Sequence, residues 1–473
     1  MKKLSELYNI ESDVLIKDIK INSKEVVDGD IFVCTMGVTA DRHDFIDEAI
    51  SNGASCVVVS RDVGEKDVPI IRVENTNTEL ISLARKLYDF RDEDLSLIGV
   101  TGTNGKTTIC TMIEQLLGES CGYMGTNGIK SKGFNEKIRN TTPDADRLYK
   151  YFRRFIDDGC TILSMETSSE SFFRHRLDTL KFKVGIMSNI TEDHLNIHKT
   201  IENYVDCKME LLRNVREDGF SILNTDDEYY SMALKNARGK ILSFGKREES
   251  TIRLLDTKDS GMGSIVTFMY EGRKYEVNSP FLGEVNAYNL LASILAVLSL
   301  GLSIDEVLEK IPTLNTVPGR LDILYNKECT IVLDYAHTTD AFKKVLPILN
   351  KLKKNRLVVV TGSAGGREKE KRPIMGKYIL DNSDYVIFTM DDPRCESVLD
   401  IINDLKRDAT TSNYEVIEDR KSAIYSALDN SEEGDVILIA GKGVDDYMAV
   451  GDKYLPYSDL EVINKYLKEK GLV

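Results

Sequence analysis

GVTGTNGKTT, residues 99–108, follows an apolar, β-rich run at 97–100 and precedes a helical stretch at 107–117. A strand, a glycine turn and a helix in that order favour an anion. Gly102 and Gly105 allow the chain to turn tightly and approach closely, and the amides at the helix start point at phosphate. Lys106 supplies a point charge for the β- and γ-phosphates, and Thr107 can set its hydroxyl on Mg²⁺. Thr103, Asn104 and Thr108 complete the loop. The match to G-x-x-x-x-G-K-[ST] is not strict, because Val100 stands where the first glycine belongs. The loop alone leaves an ATPase, a kinase, a GTPase switch and a ligase all open.

Outward from this stretch, the same pattern recurs. Apolar runs at 161–165, 184–187, 330–333, 356–360, 385–388 and 436–439 each end abruptly in polar or glycine-rich residues. Those ends are Glu166, SNITEDH, Asp334, TGSAGGR, TMDDPR and AGKG. Helical stretches at 286–300, 339–352 and 421–428 alternate with them. Such alternation predicts an α/β protein with parallel, doubly wound sheets, whose ligands sit beyond the carboxyl ends of the strands. The polar clusters all fall at those ends, which points to an enzyme with a cleft. The first 90 or so residues differ, with short strands at 30–34, 56–59 and 70–73 and a helix near 45–52. A Pro318-Gly319 turn opens a new strand series. Three domains are expected, at 1–94, 95–317 and 318–473, the first a small α/β domain and the second carrying the phosphate loop.

A chain of 473 residues has room for about three domains and several buried cores. Its net charge of −15 argues against nucleic acid as the main partner. The start, MKKLSELYNI, lacks the apolar core of a signal peptide, and the apolar stretch 290–302 is too short to span a bilayer. Eight cysteines without any CxxC fit reduced thiols rather than a disulfide framework or a zinc site. A cytoplasmic monomer is expected.

Read together, GTNGKTT, NTTPD, SMETSSE, NITEDHLNIH, ENYVDCKMELL, VPGR, LDYAHTTD, GGREKEKRP, DDPR and GKGVDDY resemble the Mur ligase family over nearly the whole chain. The branch is the one that adds the third amino acid to the cell-wall precursor stem. The resemblance implies a UDP-binding N-terminal domain, a central ATPase domain and a C-terminal dinucleotide-fold-like (Rossmann-like) domain. It also implies ATP and Mg²⁺ as cofactors, and UDP-MurNAc-L-Ala-D-Glu and a free amino acid as substrates. In such chemistry ATP turns a carboxylate into an acyl phosphate, and an amine then displaces the phosphate. The catalytic burden is positioning and charge neutralisation.

Matched residue by residue, Glu166 binds Mg²⁺ beside Thr107. A carboxylate at a strand's carboxyl end near phosphates suits that role even without the likeness. The resemblance makes His194 a holder of a second magnesium, while His198 reads as structural, and it matches Asn189 to the family's asparagine. Lys208 matches a lysine that many members carry as a carbamate, chemistry that requires an amine of lowered basicity. Asn140, Thr141, Thr142, Ser168 and Arg176 match the grip on the muramoyl-peptide substrate, the spacing from Glu166 favouring Arg176 over Arg174. Asn289, Arg320, Asp334 and His337 match positions that reach the nucleotide, partly from across a hinge. Ser23 and Thr39 match the uridine side, though short Ser/Thr loops are common.

Arg367, Asp391, Asp392, Pro393, Arg394, Gly441 and Asp445 fall where this branch recognises the incoming amino acid. The DNPR form goes with meso-diaminopimelate, whose far carboxylate suits an arginine. This chain has DDPR, Glu170 where the family has His or Gln, and Val444 and Asp445 where it has His and Glu. Diaminopimelate is favoured; L-lysine or another amino acid stays open. A folate-polyglutamate or poly-amino-acid synthetase is disfavoured by NTTPD, DYAHTTD and DDPR. A non-catalytic nucleotide-binding regulator is disfavoured by the intact Lys106, Thr107, Glu166, His194 and Lys208.

Overall fold

The computed structural model describes residues 1–36, 41–138, 140–367 and 369–472. Its centre is an 11-stranded sheet whose middle strand is Ser96–Thr101, paired in parallel with Ile162–Glu166 on one side and Phe182–Met187 on the other. Cys121–Gly125 extends the parallel order beyond Ile162–Glu166, and Val215–Asn224 and Lys240–Gly245 extend it beyond Phe182–Met187. These strands carry near-continuous apolar runs because helices cover both faces. Lys106–Leu117 and Glu284–Ser299 pack together on one face with Ile109, Ile113, Leu291 and Leu295 buried between them. Phe182, Leu211 and Phe155 belong to the cluster that includes the other face.

Ile252–Ser260, Gly263–Tyr270 and Arg273–Ser279 add an antiparallel meander at one edge, and Gly128–Lys130 with Asn135–Glu136 a hairpin at the other. Neither belongs to the strand-helix alternation read from the sequence. A second sheet has six strands in the order Asp322–Asn326, Thr330–Asp334, Val436–Ala440, Leu357–Thr361, Tyr385–Phe388, Tyr414–Val416, all parallel except the first pair. A four-stranded parallel sheet lies at the N-terminus, Asp18–Lys20, Asp30–Val33, Ala54–Val59 and Ile70–Arg72.

The three sheets are joined in different ways. Leu83, Leu87 and Phe90 of the N-terminal region share one apolar cluster with Tyr149, Phe152 and Phe155 of the helix Ala145–Asp157. Phe90 meets Tyr149 edge-on with ring centres 5.3 Å apart. Among the described residues, the two apolar clusters of the C-terminal sheet hold nothing that precedes Leu321.

Candidate active site

The loop after Ser96–Thr101 takes its shape from two glycines. Gly102 has φ 144° and Gly105 φ 89°; a Cβ at Gly102 would lie 2.0 Å from Ser188 Oγ, and one at Gly105 2.4 Å from Asn289 Oδ1. Neither position tolerates a side chain. Asn189 clamps the loop from the neighbouring strand end. Its carbonyl accepts from the Thr103 amide at 2.7 Å, and its side chain exchanges hydrogen bonds with the Asn104 backbone at 3.1 and 2.9 Å. Lys106 Nζ donates to the carbonyls of Gly102 and Thr103 at 2.8 and 2.9 Å. Burial lowers its basicity, with Glu166 pulling the other way.

Glu166, buried at the end of Ile162–Glu166, accepts from Tyr123 Oη and the Thr126 amide, both at 2.8 Å, and from Thr126 Oγ1 at 3.2 Å. A hard cation that keeps several waters and completes its shell with phosphate oxygens suits the oxygen set of Glu166 and Thr107. Among the described residues no cluster of three or more His, Cys, Asp or Glu could hold a metal by itself. His194 sits with φ 54° at the start of a short helix, and burial lowers its pKa to about 4, Asp193 opposing and Lys106 and Lys208 adding to the shift. Its imidazole is therefore neutral at pH 7 and able to donate a lone pair.

Lys208 lies beneath the loop rather than in the cleft. Only 2% exposed, it donates to the Gly102 carbonyl at 2.8 Å and stands 4.5 Å from the Tyr204 ring centre. Burial, then the charge of Lys106, holds its amine well below ordinary lysine basicity. His198 is buried against Ser169, Phe173 and Tyr204.

A cleft of about 460 Å³ opens over the loop; residues 103–108 line its floor, and Glu166, His194 and Asn289 line it as well. Asn140, Thr141, Thr142, Ser168 and Arg176 form one wall. Thr142 Oγ1 donates to the Glu166 carbonyl at 3.0 Å, and Arg176 donates to the Thr142 carbonyl at 3.1 Å while pairing with Asp144 at 2.5 Å. Ser168 Oγ caps the helix Ser169–Phe173. Arg174 is engaged by Glu170 at 2.6 Å. Arg320, Asp334, His337 and Arg367 close the cleft from the C-terminal sheet. Arg320 reaches Thr107 Oγ1 at 3.4 Å and stacks over Tyr335. The Asp334 carboxylate accepts from the amides of Leu321 and Ala336, both at 2.7 Å, so it shapes the loop that carries Arg320 and His337.

The other expected site residues that the structure describes lie outside that cleft. Ser23 turns its hydroxyl to Glu48 in the N-terminal region. Two residues on, Glu25 pairs with Arg147, at the start of the helix that follows NTTPD. Thr39 is outside the described residues. Asp391, Asp392, Asp445 and Gly441 surround the buried Lys442. Its ammonium is 2.8 Å from Asp392, 3.7 Å from Asp445 and 3.9 Å from Asp391. A Cβ at Gly441 would lie 2.4 Å from Asp391 Oδ2. Burial pushes Asp445 up to about 6, Lys442 opposing. Pro393 is buried, and Arg394, exposed with φ 51°, is stitched to the hairpin Tyr447–Val450 and Lys453–Pro456 through Ala449 and Gly451.

Sequence reasoning missed Lys442, although the GKG run held it, and Asp340. Asp340 Oδ2 accepts from Asn104 Nδ2 at 2.9 Å and Thr191 Oγ1 at 3.2 Å, and Lys344 pairs with it at 2.6 Å. The C-terminal unit thus touches the phosphate loop directly. Asp340→Ala is expected to lower kcat about tenfold by loosening this contact, read by steady-state kinetics beside small-angle scattering for compactness. Unchanged kcat and compactness would reject the contact as functional.

Three profiles match the chain: "Mur ligase family, catalytic domain" over 15–88, "Mur ligase middle domain" over 100–297, and "Mur ligase, glutamate ligase domain" over 319–443. The chain is 36% identical to UDP-N-acetylmuramoyl-L-alanyl-D-glutamate–2,6-diaminopimelate ligase 1 of Clostridium acetobutylicum, covering 98% of this chain and 97% of that one. It is also 36% identical to the Aquifex aeolicus ligase of the same description, covering 99% and 98%. A solved structure of such a diaminopimelate ligase superposes with a TM-score of 0.68 at 28% identity, covering 99% of both chains. The fold is shared too with a MurF ligase from Thermotoga maritima, at TM-score 0.69 and 24% identity, covering 97% of this chain and all of that one.

Proposed function

The chain belongs to the Mur ligase family, and on that premise we propose that it joins meso-diaminopimelate to UDP-MurNAc-L-Ala-D-Glu at the expense of ATP, in peptidoglycan precursor synthesis. The observation that carries this reading is the single cleft in which the phosphate loop, the NTTPD wall and Arg320, His337 and Arg367 converge. Phosphate donor, acceptor acid and incoming amine must meet there for an amide to form.

The geometry supports the following division of labour. The amides at the start of Lys106–Leu117 and the Lys106 ammonium hold the triphosphate, with Asn289 and Arg320 on the nucleotide. Thr107 and Glu166 would hold Mg²⁺, with His194 and a carbamate on Lys208 serving a second ion; bound there, the metal neutralises charge on the transferring phosphoryl group. Lys208 is suited to carbamate formation, because its lowered basicity favours the neutral amine, the form that attacks CO₂ and releases one proton. Arg176 and Thr142 place the glutamyl carboxylate, whose oxygen takes the γ-phosphoryl group. The amine then attacks the acyl phosphate, phosphate leaves, and an amide remains. The domains at 1–94, 95–317 and 318–473 would supply the UDP-sugar, ATP and amino-acid contacts respectively. The protein would work in the cytoplasm, where these substrates are made.

The test is phosphate release from ATP with UDP-MurNAc-L-Ala-D-Glu and a panel of amines. Release that needs both the dipeptide and diaminopimelate is expected; release independent of the dipeptide would leave a plain ATPase. Dependence on lysine instead would reassign the amine. Arg394→Ala is expected to raise the KM for diaminopimelate by about tenfold or more through loss of a charged hydrogen-bond partner, with the KM for ATP unchanged.

A further inference from the structure

Arg367 and Arg394 stand on different loops, 27 residues apart in sequence, and one carboxylate connects those loops. Glu396 Oε1 accepts from the Gly366 amide at 2.6 Å, beside Arg367. The same carboxylate is gripped at both oxygens by Arg372, each contact 3.0 Å, and Lys369 pairs with it at 2.9 Å. Arg372 is only 2% exposed, donates also to the Ala364 carbonyl at 3.2 Å, and is anchored from behind by Asp404 at 3.0 Å. These partners, Arg372 first and the Gly366 amide next, hold the Glu396 carboxyl down at about 2, so it is anionic throughout the working pH range.

The two loops also meet through backbone. The Gly365 amide donates to the Asp392 carbonyl at 3.0 Å, and a Cβ at Gly365 would lie 2.0 Å from the Pro393 carbonyl oxygen. Arg394 crosses Gly366, its Nη1 falling 3.7 Å from where a Cβ would be. The spacing between the guanidinium in the cleft and the one at the DDPR turn is therefore set by this junction.

We propose that Glu396, held by Arg372, is a positioning residue for amino-acid selection: it locks the Arg367 loop against the Arg394 turn and so fixes the distance between two cations that meet the carboxylates of the incoming amino acid. The proposal rests on the amino-acid pocket assigned above. A bidentate Arg-carboxylate pair has the directional stiffness for this, and a loss of register of about 1 Å is enough to weaken recognition severely.

Glu396→Gln keeps the shape and loses the charge. In the full-length enzyme it is expected to raise the KM for diaminopimelate roughly tenfold, to narrow the preference for diaminopimelate over lysine, and to leave kcat at saturation and the KM for ATP within about twofold. Asp404→Asn is the control for a structural role, because Asp404 also holds Arg372 but touches neither loop. It is expected to lower thermal stability without moving the amino-acid KM. Should Glu396→Gln not fold, Lys369→Met removes the outer partner alone and is expected to give the same shift in smaller measure, about two- to threefold. Arg394→Ala separates the two levels of the argument. If it raises the diaminopimelate KM and the soluble Glu396→Gln does not, the positioning role is overturned. If Arg394→Ala leaves that KM unmoved, the pocket assignment falls and the positioning role with it. Equal losses in kcat and in the affinities for all three substrates on Glu396→Gln would mark a purely structural residue and also overturn the proposal.

Discussion

Lys106→Ala is expected to cut amide formation by about 10³-fold while the protein stays folded. Among the described residues the Lys106 ammonium donates to the carbonyls of Gly102 and Thr103; Thr103 lines the cleft, and the buried Gly102 carbonyl keeps its hydrogen bond from Lys208 when Lys106 is gone. The loop itself is held by Asn189 and by the tight packing at Gly102 and Gly105, none of which involves this side chain. Structure and chemistry are therefore separable at this position. Charge developing on the transferring phosphoryl group would lose the one lysine that the phosphate loop itself supplies, leaving Arg320 from the C-terminal sheet as the cation that reaches Thr107. Phosphate release coupled to the dipeptide and diaminopimelate reads the loss, and circular dichroism checks the fold. Retention of more than about a tenth of wild-type turnover would mean that phosphoryl transfer does not happen at this loop.

Lys208→Met should separate stability from activity in opposite directions. Methionine nearly reproduces the volume, and its thioether is at ease among apolar and aromatic neighbours. The amine that it replaces is buried, with its basicity depressed by burial and by Lys106. Removing so deeply desolvated a polar group should leave thermal stability equal or higher. Turnover should nonetheless fall by about 10²-fold, because the anion formed when the amine adds CO₂ is lost. Depleting bicarbonate should slow the unmodified enzyme, adding it back should restore the rate, and the variant should respond to neither. Wild-type turnover in Lys208→Met would make this lysine a strut for the Gly102 carbonyl and nothing more.

What the sequence made legible was local. Runs such as 97–100 and 436–439, found as Ser96–Thr101 and Val436–Ala440, stand out because a strand buried on both faces must be apolar throughout and stops where polar residues begin. The outer strands of the meander 252–279 have no such run. Buried Ile252, Leu254 and Val277 are interspersed with Arg253, Lys258, Lys274 and Glu276, and a period of two is what reveals them; the middle strand does hold an apolar run, IVTFMY at 265–270, but it pairs with its neighbours as hairpins with no helix between. Pairings across long chain separations leave no local trace either. Asn104 and Asp340 are 236 residues apart, and Lys442 reaches Asp392 over 50. Composition also cannot say how a departure is absorbed. Glu170 stood out as unusual, yet its partner, Arg174, became known only from the fold. At DDPR, the extra carboxylate of Asp392 is answered by the Lys442 ammonium and the Ala449 amide.

The unequal joining of the three sheets has a mechanical consequence. Phe90, Tyr149 and Phe152 weld the first third to the second with aromatic surface, and separating them would expose it to water at a cost of several kcal/mol. The C-terminal third is held largely by small polar couplings, including Asp340 to Asn104, Lys371 to Glu192 and Lys137 to Asp446. Water replaces such couplings cheaply, and dissolved ions weaken them over about 8–10 Å. Ionic strength should therefore act as a dial on one joint and not the other. The C-terminal third would swing more freely as salt rises, while the front two-thirds tumble as one body.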